Sequence, residues 1–88
     1  MAFTYDNRCA HDFDKSAISF KVRDGDAVET WRVSEMALQD VFGSREIGPA
    51  LIPVFESNAY TIVEVGNELR PLRGGPLFLQ SSDFGGQR

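Results

Sequence analysis

The stretch that decides the fold is Ala17-Ile18-Ser19-Phe20-Lys21-Val22-Arg23-Asp24-Gly25-Asp26-Ala27-Val28-Glu29-Thr30-Trp31-Arg32-Val33. From Ala17 to Arg23 apolar and polar residues alternate with period two, the pattern of a strand with one face buried. Ile18, Phe20 and Val22 then face a core. Asp24-Gly25-Asp26-Ala27 supplies turn chemistry, and Gly25 suits the positive φ required at the first central position of a type II′ turn. If Gly25 and Asp26 form the loop, the return strand runs from Val28 to Val33, with Phe20 opposite Trp31, Ile18 opposite Val33 and Val22 opposite Glu29. One register thus gathers the large apolar residues on one face of the hairpin, because a slip by a single residue would turn them outward. The other face carries Lys21, Arg23, Thr30 and Arg32, with Ser19 and Val28 between them.

Ser34 follows the second strand at once. Its side chain can accept a backbone N–H bond as a helix cap, and Glu35 suits the positive end of the helix dipole. The spacing of Ala37, Leu38, Val41 and Phe42 predicts a helix over 35–42, and Gly43 stands at the left-handed stop. Beyond it, Ala50, Leu51, Val54 and Phe55 have helical spacing, but Pro49 and Pro53 interrupt it. Proline in a helix interior costs about 3 kcal/mol, so the second helix is expected to start late or to bend at Pro53. The run from Ala59 to Arg70 carries both signals: Thr61, Ile62, Val63 and Val65 favour a strand, whereas Ile62, Val63, Gly66 and Leu69 trace a helical face. We read it as helix, ended by Pro71. Gly74-Gly75-Pro76 marks a turn, and Leu77-Phe78-Leu79-Gln80 a short closing strand.

The order of these features resembles a family of small bacterial proteins catalogued as domain of unknown function 1488. The likeness spans 3–84. It rests on Asp14 ahead of the strand Ala17 to Val22, on Val33-Ser34-Glu35-Met36-Ala37-Leu38 with Phe42-Gly43, on the helical stretch around Phe55 and Asn58, and on Leu77-Phe78-Leu79-Gln80-Ser81-Ser82-Asp83-Phe84. The resemblance implies an α+β fold: an antiparallel hairpin or three-stranded meander, then two to three short helices, then a final strand. It implies no activity, cofactor or catalytic residue.

The chain has 88 residues, 42% hydrophobic and 25% charged, which suits one α+β domain over 1–84 with a tail at 85–88. A domain this small has a narrow stability margin, so association with itself or with a partner is a natural source of further burial. With a single cysteine, Cys9, no intrachain disulfide and no cysteine-rich zinc site can form. No leader and no apolar run of membrane length stands out, so a cytoplasmic setting is expected. The net charge of −4 disfavours broad binding to a phosphate backbone, which makes a nucleic-acid-associated regulator the weakest functional reading.

Four groups of residues merit inspection as sites. Arg8-Cys9-Ala10-His11-Asp12-Phe13-Asp14 is the most suggestive chemically. In an extended segment Cys9 and His11 point to one side, which would permit a thiolate–imidazole pair or part of a metal site, but no further Cys or His completes a ligand set and the plainer assignment is a polar loop. Glu64 and Glu68 lie one helical turn apart, the mark of a solvated face. Arg70 and Arg73 beside Gly74-Gly75 could form a small anion corner, although no phosphate-loop pattern is present. Lys21, Arg23 and Arg32 cluster on the outer hairpin face, and helices packed on one side of a sheet leave the other side available. The sequence therefore favours a non-enzymatic interaction module without cofactor or metal, binding a protein partner or another copy of itself through Lys21, Arg23 and Arg32 or through a sheet edge. A ligand- or metal-binding protein or enzyme using the Cys9 to Asp14 segment is the alternative.

Overall fold

The computed structural model describes residues 2–87. Strands β1 (Thr4–Asp12), β2 (Ala17–Asp24) and β3 (Ala27–Ser34) form an antiparallel meander. Helix α1 (Glu35–Phe42), a 3-10 turn (Gly48–Leu51) and helix α2 (Ile52–Arg73) follow. Strand β4 (Phe78–Leu79) then joins β3 in parallel, giving a four-stranded mixed sheet in the order β1-β2-β3-β4. A second 3-10 turn occupies Ser81–Gln87, and Arg88, part of the expected tail, lies outside the described residues.

The hairpin has the register anticipated from its alternation: Phe20 pairs with Trp31, Ile18 with Val33 and Val22 with Glu29. Gly25 has φ 63°, while Asp26 stays at negative φ, in keeping with the primed turn that right-twisted strands require. Helix α1 also follows its local signals. The Ser34 hydroxyl accepts the Ala37 N–H at 2.9 Å, and Gly43 closes the helix at φ 69°.

Three expectations need correction. The Cys9 to Asp12 stretch is not a loop but half of the edge strand β1. Its alternation is hidden by a bulge in which Asp6, Asn7 and Arg8 stand opposite Lys21 alone, with Asn7 in the left-handed region at φ 58°. The second helical region is one long helix of 22 residues rather than short pieces. Pro53 lies in its first turn, where the missing N–H has no intrahelical partner to lose. Pro71 does not end it: the helix runs on to Arg73 and stops where Gly74, at φ 73°, donates its N–H to the Arg70 carbonyl. Near a helix end the single hydrogen bond forfeited by proline is too little to break the last turn.

Helix α2 covers the inner face of the meander. Phe20, Val22, Trp31, Phe55, Ile62 and Leu51 are fully or almost fully buried there, with Phe20 and Phe55 ring centroids 4.6 Å apart. Gly66 makes the close approach possible, because a Cβ at this position would lie 2.3 Å from Cζ3 of Trp31. The indole N–H donates to Glu29 Oε1 at 2.7 Å, and Arg70 of α2 grips the same carboxylate at 2.9 Å. At the start of the chain, Asn67 accepts the Phe3 N–H at 2.8 Å and donates to the Phe3 carbonyl at 2.9 Å, which fastens the approach to β1 onto the helix.

Candidate functional site

Among the described residues, the buried side chains of the helices pack on the inner face of the meander, and its outer face is mainly polar. Strand parity places Thr4, Ala10 and Asp12 of β1 beside Ser19, Lys21 and Arg23 of β2 and Val28, Thr30 and Arg32 of β3. Lys21, Arg23 and Arg32 do share this face, and the β1 bulge brings Arg8 alongside them. Arg8 and Lys21 line a shallow depression of ≈ 140 Å³ whose floor includes Ala10, Ser19 and Thr30.

These cations are held in a lattice. Arg32 donates through Nε to Asp12 Oδ2 at 2.8 Å, spanning β2, and Lys21 Nζ donates to Thr30 Oγ1 at 2.6 Å. Asp6 pairs with Arg8 and lies 3.5 Å from Arg23. Hydrogen bonding from Arg8, with Arg23 behind it, keeps the Asp6 carboxyl below its ordinary pKa, and Arg32 does the same to Asp12. Four cations thus meet two carboxylates. The side chains of Arg8 and Arg23 remain 58% and 45% exposed, so a docked acidic surface could reach them without a rearrangement of the core.

The Cys9 to Asp14 segment is divided by the strand. Cys9 and His11 lie on the inner side, as an extended segment predicts, but they turn to different helices. The Cys9 thiol is 3.8 Å from Glu56 Oε2 of α2. Burial pushes its pKa up and the Glu56 carboxylate adds to the rise, which favours the protonated, weakly nucleophilic form. Burial likewise pushes up the pKa of the neighbouring Tyr5, whose hydroxyl has no hydrogen-bond partner of ordinary geometry. His11 Nε2 lies 2.6 Å from Glu35 Oε2, and Glu35 Oε1 accepts the Gly48 N–H at 3.1 Å. These two contacts, His11 first, hold the Glu35 carboxyl below its ordinary pKa. Asp12 points to the outer face, and Asp14 is exposed in the β1–β2 turn. Among the described residues, no three His, Cys, Asp or Glu side chains converge in a way that could hold a metal ion.

The His11–Glu35 pair lines an open cleft of ≈ 520 Å³ flanked by Phe13 and Ile47, which are 85% and 71% exposed. Sequence reading assigned Glu35 only to the helix start. No local signal could have joined it to a histidine 24 residues away. The arginines of the supposed anion corner are already engaged, Arg70 by Glu29 and Arg73 by Asp83. Glu64 and Glu68 are exposed on α2, as their spacing suggested.

The chain matches no family model and no curated protein. Its fold is similar to that of a crystallised protein of unknown function from the DUF1488 family of Shewanella loihica PV-4, with a TM-score of 0.76 over 89% of this chain and 91% of that one. The two are 16% identical in sequence, so the likeness is one of fold. The fold is thus DUF1488-like, the architecture that the order of sequence features implied, and it points to no specific function.

Proposed function

We propose that this protein is a non-enzymatic interaction module whose outer sheet face binds an acidic protein surface. The observation that carries the reading is the concentration of Arg8, Lys21, Arg23 and Arg32 around two paired carboxylates, Asp6 and Asp12, among the described residues of a chain whose net charge is −4. Such a local reversal of sign steers an acidic partner to one face and repels it from the others. Nucleic acid fits less well, because the aromatic side chains of the sheet, Phe20 and Trp31, point into the core and cannot stack on bases. A cytoplasmic setting suits the free thiol of Cys9. Affinity purification from the native cell tests the proposal: the double substitution Lys21→Glu and Arg23→Glu is expected to lose the partners that the unmodified chain retains. An unchanged set of partners would refute it.

The reading as a ligand-binding protein or enzyme has one observation in its favour, the His11–Glu35 cleft. It predicts that a metal or small-molecule panel raises the melting temperature of the unmodified chain, and that His11→Ala removes the rise.

A further inference from the structure

The outer sheet face and the exposed side of α2 carry opposite surpluses of charge. On the exposed side of α2, Glu56, Tyr60, Glu64 and Glu68 recur at intervals of four residues, starting at the flank beside β1, where Glu56 lies 3.8 Å from the Cys9 thiol and Tyr60 and Glu64 line a cleft with Phe3 and Tyr5. Residues four apart on a helix stack above one another, so these side chains form one stripe. Among the described residues, Glu64 and Glu68 take part in no ion pair, whereas the arginines near the far end of the helix are engaged by Glu29 and Asp83. Tyr60 is 80% exposed in the middle of the stripe, and Val28 is 42% exposed on the sheet face.

We propose that the outer sheet face of one copy receives the α2 stripe of a second copy, so that the chain assembles head to tail. The inference rests on reading the outer face as a binding surface and names its occupant. Charge complementarity is the first argument: Lys21, Arg23 and Arg8 face outward with a surplus of positive charge, and Glu56, Glu64 and Glu68 bring the negative charge they lack. Shape is the second. A helix laid on the open face of a sheet is a standard way to add a layer. From Glu56 to Glu68 the stripe is about 18 Å long at about 1.5 Å per residue, and strands of eight or nine residues reach about 26 to 30 Å, so the stripe fits within the length of the sheet face. Because the two patches are different and share no residue, the contact leaves one of each unsatisfied at the ends, and addition of further copies follows.

Sedimentation across a concentration series at low and high salt tests the proposal. The weight-average mass should rise above the 9.8 kDa monomer with concentration at low salt and fall back in 0.5 M NaCl. Lys21→Glu with Arg23→Glu makes both patches acidic, and Glu64→Lys with Glu68→Lys makes both basic, so each double variant alone should remain monomeric. An equimolar mixture of the two should recover association, since each interface is again complementary. Reversal of two exposed carboxylates off the stripe, Asp14→Lys with Glu46→Lys, should leave association intact, and circular dichroism should show every variant folded. A monomer at all concentrations, or a dimer that does not grow, would overturn the inference. So would a mixture that fails to associate. If the unmodified chain is monomeric yet Lys21→Glu with Arg23→Glu still loses its cellular partners, the second copy is the wrong occupant and the binding face stands. If partner capture is also unchanged, both fall.

Discussion

The two faces of the β2–β3 hairpin arise from one alternating sequence and have opposite natures. Inward lie Ile18, Phe20, Val22, Trp31 and Val33, none more than 1% exposed. Outward, beyond the buried Ala17, lie Ser19, Lys21, Arg23, Thr30 and Arg32, whose polar groups are matched across three strands rather than excluded from water. The inner face depends on close packing against a helix, where a single methyl group can be too much. The outer face is held by hydrogen bonds and ion pairs among exposed and half-buried side chains. If the outer face binds a partner as proposed, stability and recognition are carried by alternate residues of the same strands.

That separation can be broken most severely at Phe20. Phe20→Ala should lower the unfolding free energy by about 3 to 5 kcal/mol, measured by denaturant titration, because the ring packs on both Trp31 and Phe55. Gly66→Ala should cost about 1 to 3 kcal/mol by forcing the indole of Trp31 off the helix. In the presence of Trp31→Leu the same change should cost much less, a coupling that a double-mutant cycle reads directly. Ser34→Ala should cost about 1 kcal/mol through loss of the α1 cap, a fall of about 4 to 8 °C in melting temperature for a chain this size.

Glu29→Gln sharpens the comparison through pH. The Arg70 guanidinium holds the Glu29 carboxyl below its ordinary pKa, so the folded state releases this proton more readily than the unfolded state. The resulting stability is present above the unfolded-state pKa and is lost as pH falls through the lower folded value. The melting-temperature gap between the unmodified chain and Glu29→Gln should accordingly be widest near neutrality and narrow in acid. On the outer face, Lys21→Glu should change stability by no more than about 0.5 kcal/mol in either direction. A large loss there would show that the lattice also holds the fold together.

The parts legible in the sequence are those specified by short-range chemistry. The hairpin register followed from parity and from Gly25, and α1 from Ser34 and Gly43. Strand β1 was not legible, because three bulged residues interrupt its alternation and its inward residues include Cys9 and His11, which are not typical of a core. The length of α2 was obscured by prolines whose effect depends on their position within the helix. Parallel pairing of β4 with β3 depends on a crossover that no local signal encodes. The candidate surface divides in the same way. Lys21, Arg23 and Arg32 were placed together by parity alone. Arg8, Asp6 and Asp12, which set the charge balance, could not be placed while β1 was unassigned.

The parallel pairing of β4 also has a meaning for synthesis on the ribosome. The meander can zip up as soon as β3 emerges, but the Arg32 N–H that will donate to Leu77 has to wait until both helices have been made. With about 40 residues intervening and elongation at roughly 5 to 20 residues per second, the bare flank of β3 stays uncovered for about 2 to 8 seconds. During that interval a nascent chain offers an open strand edge to its neighbours on the same message. Phe78 and Leu79 end that interval by covering the edge at Arg32 and Val33, which makes the short last strand a late cap on the sheet as well as a part of it.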